Sequence, residues 1–540
     1  MEYFVALASA WLLLSASTAL RPGRRGIFFA LAYPVGWAAG ELAAQALVIQ
    51  IALVGLLKWW GWPHLHWVSD LVLVLASLVV AENLALVFIS FHSRSVVRRA
   101  LSRASFRPLS SPLPREDRFG TWWRTALQVP YHPHWMQLIK NVPYGPEPRH
   151  RLDVWRNSTT PLGAPVIFYI HGGAWTFGDK REQGRPMLHE FVARGWIAVA
   201  CNYRLAPTHP WPAQIEDVTR TLAWIKKYIA SYGGDPDRVV VAGGSAGGHL
   251  AALLALSSDD PSWRPRDVEG VTDWSVRGAI PLYGVLEMTG DDAYWNGLGR
   301  GIRGLLERRV VQEPYQGNED LYLAISPLQR IHPDAPPFLV VHGVNDTLVD
   351  VHVARSFVRE FRAHALAPIY YVELPFTQHA FDVSASPRTS ATTRAAIAFA
   401  DSVSAARPEV PARVLANYRV PPGELVVEVA GEWVPAPEAV ATFGPLWVVS
   451  ADNPYSRRLS EQENERRRAQ MVELLTRHGV RAHATLARGQ GDWPDEAGVA
   501  LMDSSLLFAK GLARTFDQYA FYEVTSDAVR VRRTVDAALI

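Results

Sequence analysis

From Tyr144 to about residue 400 of this 540-residue chain, short apolar runs alternate with helical patterns. The runs 166–170, 196–201, 238–242, 279–282, 338–341 and 369–372 have strand length, and most are rich in β-branched residues. Helical patterns such as 213–232 and 249–256 separate them. A strand that is apolar throughout has no side to give to water, so both of its faces must be covered. Strand and helix in alternation then predict an α/β fold, a mostly parallel sheet with helices on both faces.

One of these strands leads directly into a chemical motif. Val239-Val240-Val241-Ala242 runs into Gly243-Gly244-Ser245-Ala246-Gly247-Gly248, and a helical pattern follows from His249. This is G-x-S-x-G between strand and helix. The turn leaves no room for side chains on its flanks, lifts the serine hydroxyl above the sheet and directs the next backbone N–H to the same point. A second glycine element, His171-Gly172-Gly173-Ala174-Trp175, follows the run 166–170. Small residues there let backbone N–H groups face a developing oxyanion. Gly172, Gly173 and Ala246 are the candidate donors, and each such donor contributes roughly 2.7–4 kcal/mol to the transition state. His171 is read as a side chain that supports the loop.

An acid and a base complete the set. Asp346 lies just past the run 338–341, where ligands of an open α/β sheet collect. His379 follows 33 residues later, beyond the run 369–372. The rival bases are His342, His332 and His249. His342 shares a loop with Asp346, and His249 points into the helix after Ser245, so His379 is preferred. The order Ser245, Asp346, His379 is the serine–acid–histidine order of α/β-hydrolases. In that chemistry His379 deprotonates Ser245, and Asp346 fixes the imidazole tautomer.

With these residues in place, 140–400 resembles the hormone-sensitive-lipase-like branch of the α/β-hydrolases. The residues that carry the resemblance are His171-Gly172-Gly173, Tyr203-Arg204-Leu205-Ala206-Pro207, Gly234-Asp235-Pro236-Asp237-Arg238, Ser245-Ala246-Gly247-Gly248, Asp346 and His379. The resemblance implies a serine attacking carboxylic esters, with no metal and no cofactor. This chain departs from the pattern at Ala174, where a third glycine is common. It departs also at Gly244 and Thr208, where acidic residues are common.

The N-terminal part has a different composition. Residues 1–107 carry nine Lys/Arg and four Asp/Glu, and from 26 to 93 the only charges are Glu41, Lys58, Asp70 and Glu82. Three apolar stretches predict membrane spans near 3–20, 37–57 and 71–90, since about 20 helical residues cross a bilayer core. Pro34, Gly36 and Gly40 are expected to break the long middle stretch. Arg21, Arg24 and Arg25 follow the first span, and Arg94, Arg98, Arg99, Arg103 and Arg107 follow the third. Positive loops stay cytoplasmic, which predicts an external N-terminus and a cytoplasmic catalytic part. The Glu82–Asn83 pair, midway along the third stretch, is read as hydrogen-bonded within the helices, with Gln45 or Gln50 as partner. Aromatic residues at 108–140 or at 288–320 are the candidates for a lid.

The expected domains are thus a membrane segment 1–107, a hydrolase 108–407 and a small α+β domain 408–540. The last resembles a small bacterial family of unknown function through Asn453-Pro454-Tyr455, Glu463-Asn464, the 493–496 turn and Phe516-Asp517-Gln518. Asn453, Glu496 and Gln518 are read as turn-forming and core-satisfying groups, and Arg466-Arg467-Arg468 as a solvated helix face. A net charge of +2 excludes a nucleic-acid partner recognised through overall charge, and a lone Cys201 excludes an internal disulfide. The expected partners are an ester substrate and a lipid bilayer, with any protein partner of the last domain unknown. An acyltransferase with the same triad, or a non-catalytic membrane scaffold, are the competing readings.

Overall fold

The computed structural model describes residues 26–59, 66–102, 135–258, 260–405, 425–489 and 494–534. They divide into two compact units. The second takes Ile331–Pro336, Arg359–Pro368 and the residues from Ala405 onward, and the first takes the rest.

The first unit is built on an eight-stranded sheet. Its strands are β1 (Met136–Pro143), β2 (Arg151–Asn157), β3 (Ala164–Ile170), β4 (Ile197–Cys201), β5 (Gly234–Gly244), β6 (Gly278–Leu282), β7 (Phe338–Gly343) and β8 (Ile369–Leu374). They lie in the order β1-β2-β4-β3-β5-β6-β7-β8. Pairing is parallel from β4 through β8, while β1–β2 and β2–β4 are antiparallel. All six predicted runs are strands. The two that sequence reading missed, β1 and β2, carry Gln137, Lys140, Asn141, Asp153 and Arg156, so their polarity hid them. Central β4 and β6 are buried along their whole length, as strands covered on both faces must be.

The N-terminal residues form three helices: α1 (Gly26–Glu41), α2 (Ala43–Trp59) and α3 (His66–Ser102). Among the described residues no single helix is long and apolar enough to cross a membrane. The first expected span lies outside the described residues. The second is interrupted: α1 and α2 meet at a 74° bend, and only the bent pair together has the required length and composition. The break falls at Leu42, two residues past Gly40, and Pro34, Gly36 and Gly40 all sit inside helix α1.

The third expected span belongs to a helix of 37 residues. Its C-terminal half packs against β8 and the helix Pro387–Val403. Val79, Leu86, Ser93, Val97 and Leu101 are buried along it at helical spacing, and Val97 and Leu101 join the core of the sheet. Asn83 donates to Gln50 Oε1 at 3.4 Å and to Val79 O at 3.0 Å, which ties α3 to α2.

Three further helices of the first unit bear on the site: α4 (Ala213–Tyr228), α5 (Ala246–Leu256) and α6 (Pro387–Val403). The second unit contains a seven-stranded antiparallel sheet with helices Ala436–Phe443, Glu461–Arg477 and Leu506–Thr515.

Candidate active site

The sheet register collects the predicted residues at one edge. Ile170 pairs with Gly243, and Gly244 pairs with Leu282. The loop after β3, the serine after β5 and Tyr283 after β6 therefore emerge side by side. Gly343 pairs with Leu374, so the loops carrying Asp346 and His379 also leave neighbouring strand ends. This is the carboxyl edge of the parallel strands, where such sheets bind their ligands.

Ser245 joins β5 to α5 with φ 55° and ψ −120°, a conformation that costs energy for a non-glycine residue. The surrounding contacts enforce it. A Cβ on Gly247 would lie 2.0 Å from Ile170 O, so the helix approaches β3 as closely as backbone allows. Gly244 is likewise required: a Cβ there would sit 2.4 Å from the Tyr283 hydroxyl.

His379 Nδ1 lies 2.7 Å from Asp346 Oδ2. Asp346 Oδ1 accepts from the backbone N–H of Leu348 and of Val349, each at 2.9 Å, which fixes the carboxylate plane. Burial raises the Asp346 pKa, but His379 and hydrogen bonds from His342 and His379 outweigh it and hold the carboxyl well below the usual range. The site also contains a second histidine. His342 Nε2 is 3.3 Å from Asp346 Oδ2 and 2.9 Å from Val349 O. The ring of His342 is fully buried, and that of His379 is nearly so.

Two other histidines, His249 and His171, pack as structural groups. His249 Nδ1 accepts from Trp175 Nε1 at 3.2 Å, and its Nε2 lies 2.8 Å from Ile325 O. That arrangement fits one neutral tautomer, and burial pushes its pKa down to about 4. His171 stacks on Tyr203 at 4.3 Å with its Nδ1 2.7 Å from Gly172 O. Burial pushes His171 down to about 4 as well. Its Nδ1 contact holds it against the glycine loop.

The glycine loop corrects one expectation. The Gly172 N–H donates to Gln183 Oε1 at 2.8 Å, and an amide has a single hydrogen. Gly172 therefore does not offer a donor to substrate in this structure. Among the described residues the N–H groups of Gly173 and Ala246 meet no protein acceptor. Gly173 takes φ 114°, and Ala174 takes φ 48° in the place of a third glycine.

Two residues of the site carried no sequence signal. Tyr283 sits edge-on to His379 at 4.6 Å, and its hydroxyl donates to Asp382. Asp382 is buried and also accepts from Tyr169 at 3.2 Å. Burial raises the Asp382 pKa, against the hydrogen bonds from both tyrosines. The Gly244 departure thus has a physical reason: the space an acidic side chain would take is filled by Tyr283. Of the first lid candidate, 108–140, residues 108–134 lie outside the described residues. In 288–320, Trp295 is buried and donates to Glu287 Oε2 at 2.7 Å, as a packed shell residue would.

In the second unit Asn453 donates to Glu496 Oε1 at 3.1 Å and accepts from Leu459 N and Asn464 Nδ2. Gln518 Nε2 donates to Asp452 O at 2.8 Å. These groups hold a turn. The arginine run is not uniformly solvated: Arg467 Nε donates to Ala451 O and Arg468 to Asp452 Oδ2, both at 2.7 Å, while Arg466 is exposed.

Parts of the chain are similar to known proteins. Residues 152–361 match the BD-FAE family, and 449–521 match "Protein of unknown function (DUF3293)". Three Mycobacterium tuberculosis proteins are similar to the chain. The probable carboxylic ester hydrolase LipM is 46% identical over 47% of this chain and 58% of its own length. Esterase LipQ is 40% identical over 48% and 61%. Esterase LipC is 38% identical over 51% and 68%. The chain thus spans about three fifths of the length of LipM and of LipQ.

Proposed function

This chain belongs to the α/β-hydrolase family of carboxylic ester hydrolases that includes esterase LipC, and from that premise we propose that it hydrolyses carboxylic esters through a Ser245–His379–Asp346 triad. The observation that carries the reading is the His379–Asp346 contact of 2.7 Å at the edge where Ser245 turns out of the sheet. With Nδ1–H held by Asp346, Nε2 is the free base of His379. It takes the Ser245 proton as Oγ attacks the ester carbonyl. The oxyanion is stabilised by the N–H groups of Gly173 and Ala246. The imidazolium returns its proton to the departing alcohol, leaving an acyl-enzyme, and water repeats the sequence in reverse roles.

The reading extends to a lipid surface. Val48, Ile49 and Ile51 of α2 and Leu84 and Phe88 of α3 are exposed, Phe88 by 73%. Exposed apolar residues in such number on two adjoining helices favour contact with a bilayer. Arg94, Arg98 and Arg99 follow them on α3 and suit an anionic cytoplasmic leaflet. The substrate then is an ester with an apolar chain that partitions into that bilayer.

A fluorophosphonate probe tests the chemistry, because it phosphonylates only an activated serine. Labelling of the wild type and its loss in Ser245→Ala are expected. A folded wild-type protein that resists the probe would overturn the reading.

A further inference from the structure

Helix α1 does not stand apart from the catalytic unit. Tyr33, Trp37 and Glu41 recur every four residues, which places them on one face of the helix. The Tyr33 ring lies edge-on to the His379 ring at 6.1 Å. Trp37 Nε1 donates to the carbonyl of Ala380 at 2.9 Å, the residue next to His379. At the end of the helix, Arg388 Nη1 of α6 donates to Gly40 O at 2.7 Å and to Glu41 Oε1 at 3.0 Å. The Arg388 and Glu41 side chains are both at least 99% buried, so this ion pair is shielded from water.

The clamp sits where the chain bends by 74° between α1 and α2. A buried guanidinium left without its partner is strongly destabilising, so the bend and the seat of α1 are held together. An aromatic ring beside the general base restricts what passes there. Resting on the esterase reading above, we infer that Tyr33 is a specificity-determining residue that caps the His379 ring, and that Trp37 and Arg388 position it.

Two measurements test this, one with turnover and one without. In the full-length protein, kcat/KM is compared for p-nitrophenyl butyrate and p-nitrophenyl decanoate. The decanoate-to-butyrate ratio is expected to rise at least tenfold in Tyr33→Ala and to rise in the same direction, by less, in Trp37→Phe. Trp37→Phe keeps an aromatic side chain but replaces the indole by a smaller ring without the N–H, so a fall in kcat equal for both esters would mark a merely structural role and overturn the positioning claim. An unchanged ratio in Tyr33→Ala would overturn the cap.

The second measurement is maleimide labelling of Tyr33→Cys, in which the other thiol, Cys201, is fully buried. Labelling is expected to quicken at least tenfold when Arg388→Met is added. Equal rates in a folded double variant would remove the clamp. If the wild type neither labels with fluorophosphonate nor hydrolyses either ester, the esterase reading fails while the maleimide rates still judge the clamp.

Discussion

At the residue scale, the central question is which histidine serves as base, because two of them touch Asp346. His379 Nδ1 makes the shorter contact, and His342 Nε2 is shared with Val349 O. A ring whose nitrogen is committed to a backbone carbonyl is poorly placed to exchange protons with Ser245. We expect His379→Gln to lower kcat by about three orders of magnitude or more and His342→Gln to lower it less than tenfold. The reverse order of losses, measured by steady-state kinetics, would reassign the base.

His171 and His249 make a separate prediction. Both stay neutral in the fold to about pH 4, whereas unfolded histidine protonates near 6.5. The unfolded chain therefore binds more protons between those values, and stability falls as pH drops from 6.5 towards 4. The loss is up to about 3 kcal/mol for each ring. Urea midpoints at pH 7 and pH 5 should differ, and by less in His249→Gln. Equal pH dependence in both proteins would refute the assignment for His249.

At the element scale, the strand β5, the turn at Ser245 and helix α5 behave as one rigid piece. Gly247 allows α5 to press its backbone against the end of β3, and that contact is what tips the serine outward. Gly247→Ala would force a methyl into Ile170 O, so we expect a loss of about 3 kcal/mol. Thermal unfolding measures that loss. Fluorophosphonate labelling should slow more than the stability change alone explains, because the nucleophile moves with the turn. A variant as stable and as reactive as the wild type would disprove the close approach.

This part of the site was legible in the sequence for a physical reason. A tight strand-to-helix turn demands glycines at fixed offsets, and those residues are contiguous. Gln183, Tyr283 and Asp382 were not legible. Each reaches the site through the fold rather than through spacing, and a lone Gln, Tyr or Asp carries no pattern. The same holds for Gly172, whose candidate role was lost to a glutamine eleven residues away.

At the scale of the whole molecule, the N-terminal helices were read from hydropathy alone, and hydropathy cannot tell lipid from protein interior. Part of that apolar surface turned out to face β8 and α6. The remainder, around Ile49 and Phe88, is exposed. We expect the protein to co-sediment with vesicles containing anionic lipid and Ile49→Glu/Phe88→Glu to lose at least tenfold in bound fraction. Hydrolysis of p-nitrophenyl butyrate should be unaffected, since neither residue approaches His379. Vesicle binding that is unchanged in the double variant would exclude this surface as the lipid contact.

The sequence by itself determined the α/β class, the six parallel strands and the Ser245 turn, because local periodicity and glycine spacing encode each of them. The polar strands β1 and β2, the bend at Leu42 and the seat of α1 over His379 were decided only by tertiary structure. Those features depend on which surfaces meet. Trp37 and Ala380 are 343 residues apart, and Arg388 is 347 residues from Glu41. No local pattern records a contact over that distance. Only the folded chain brings an apolar N-terminal helix onto His379.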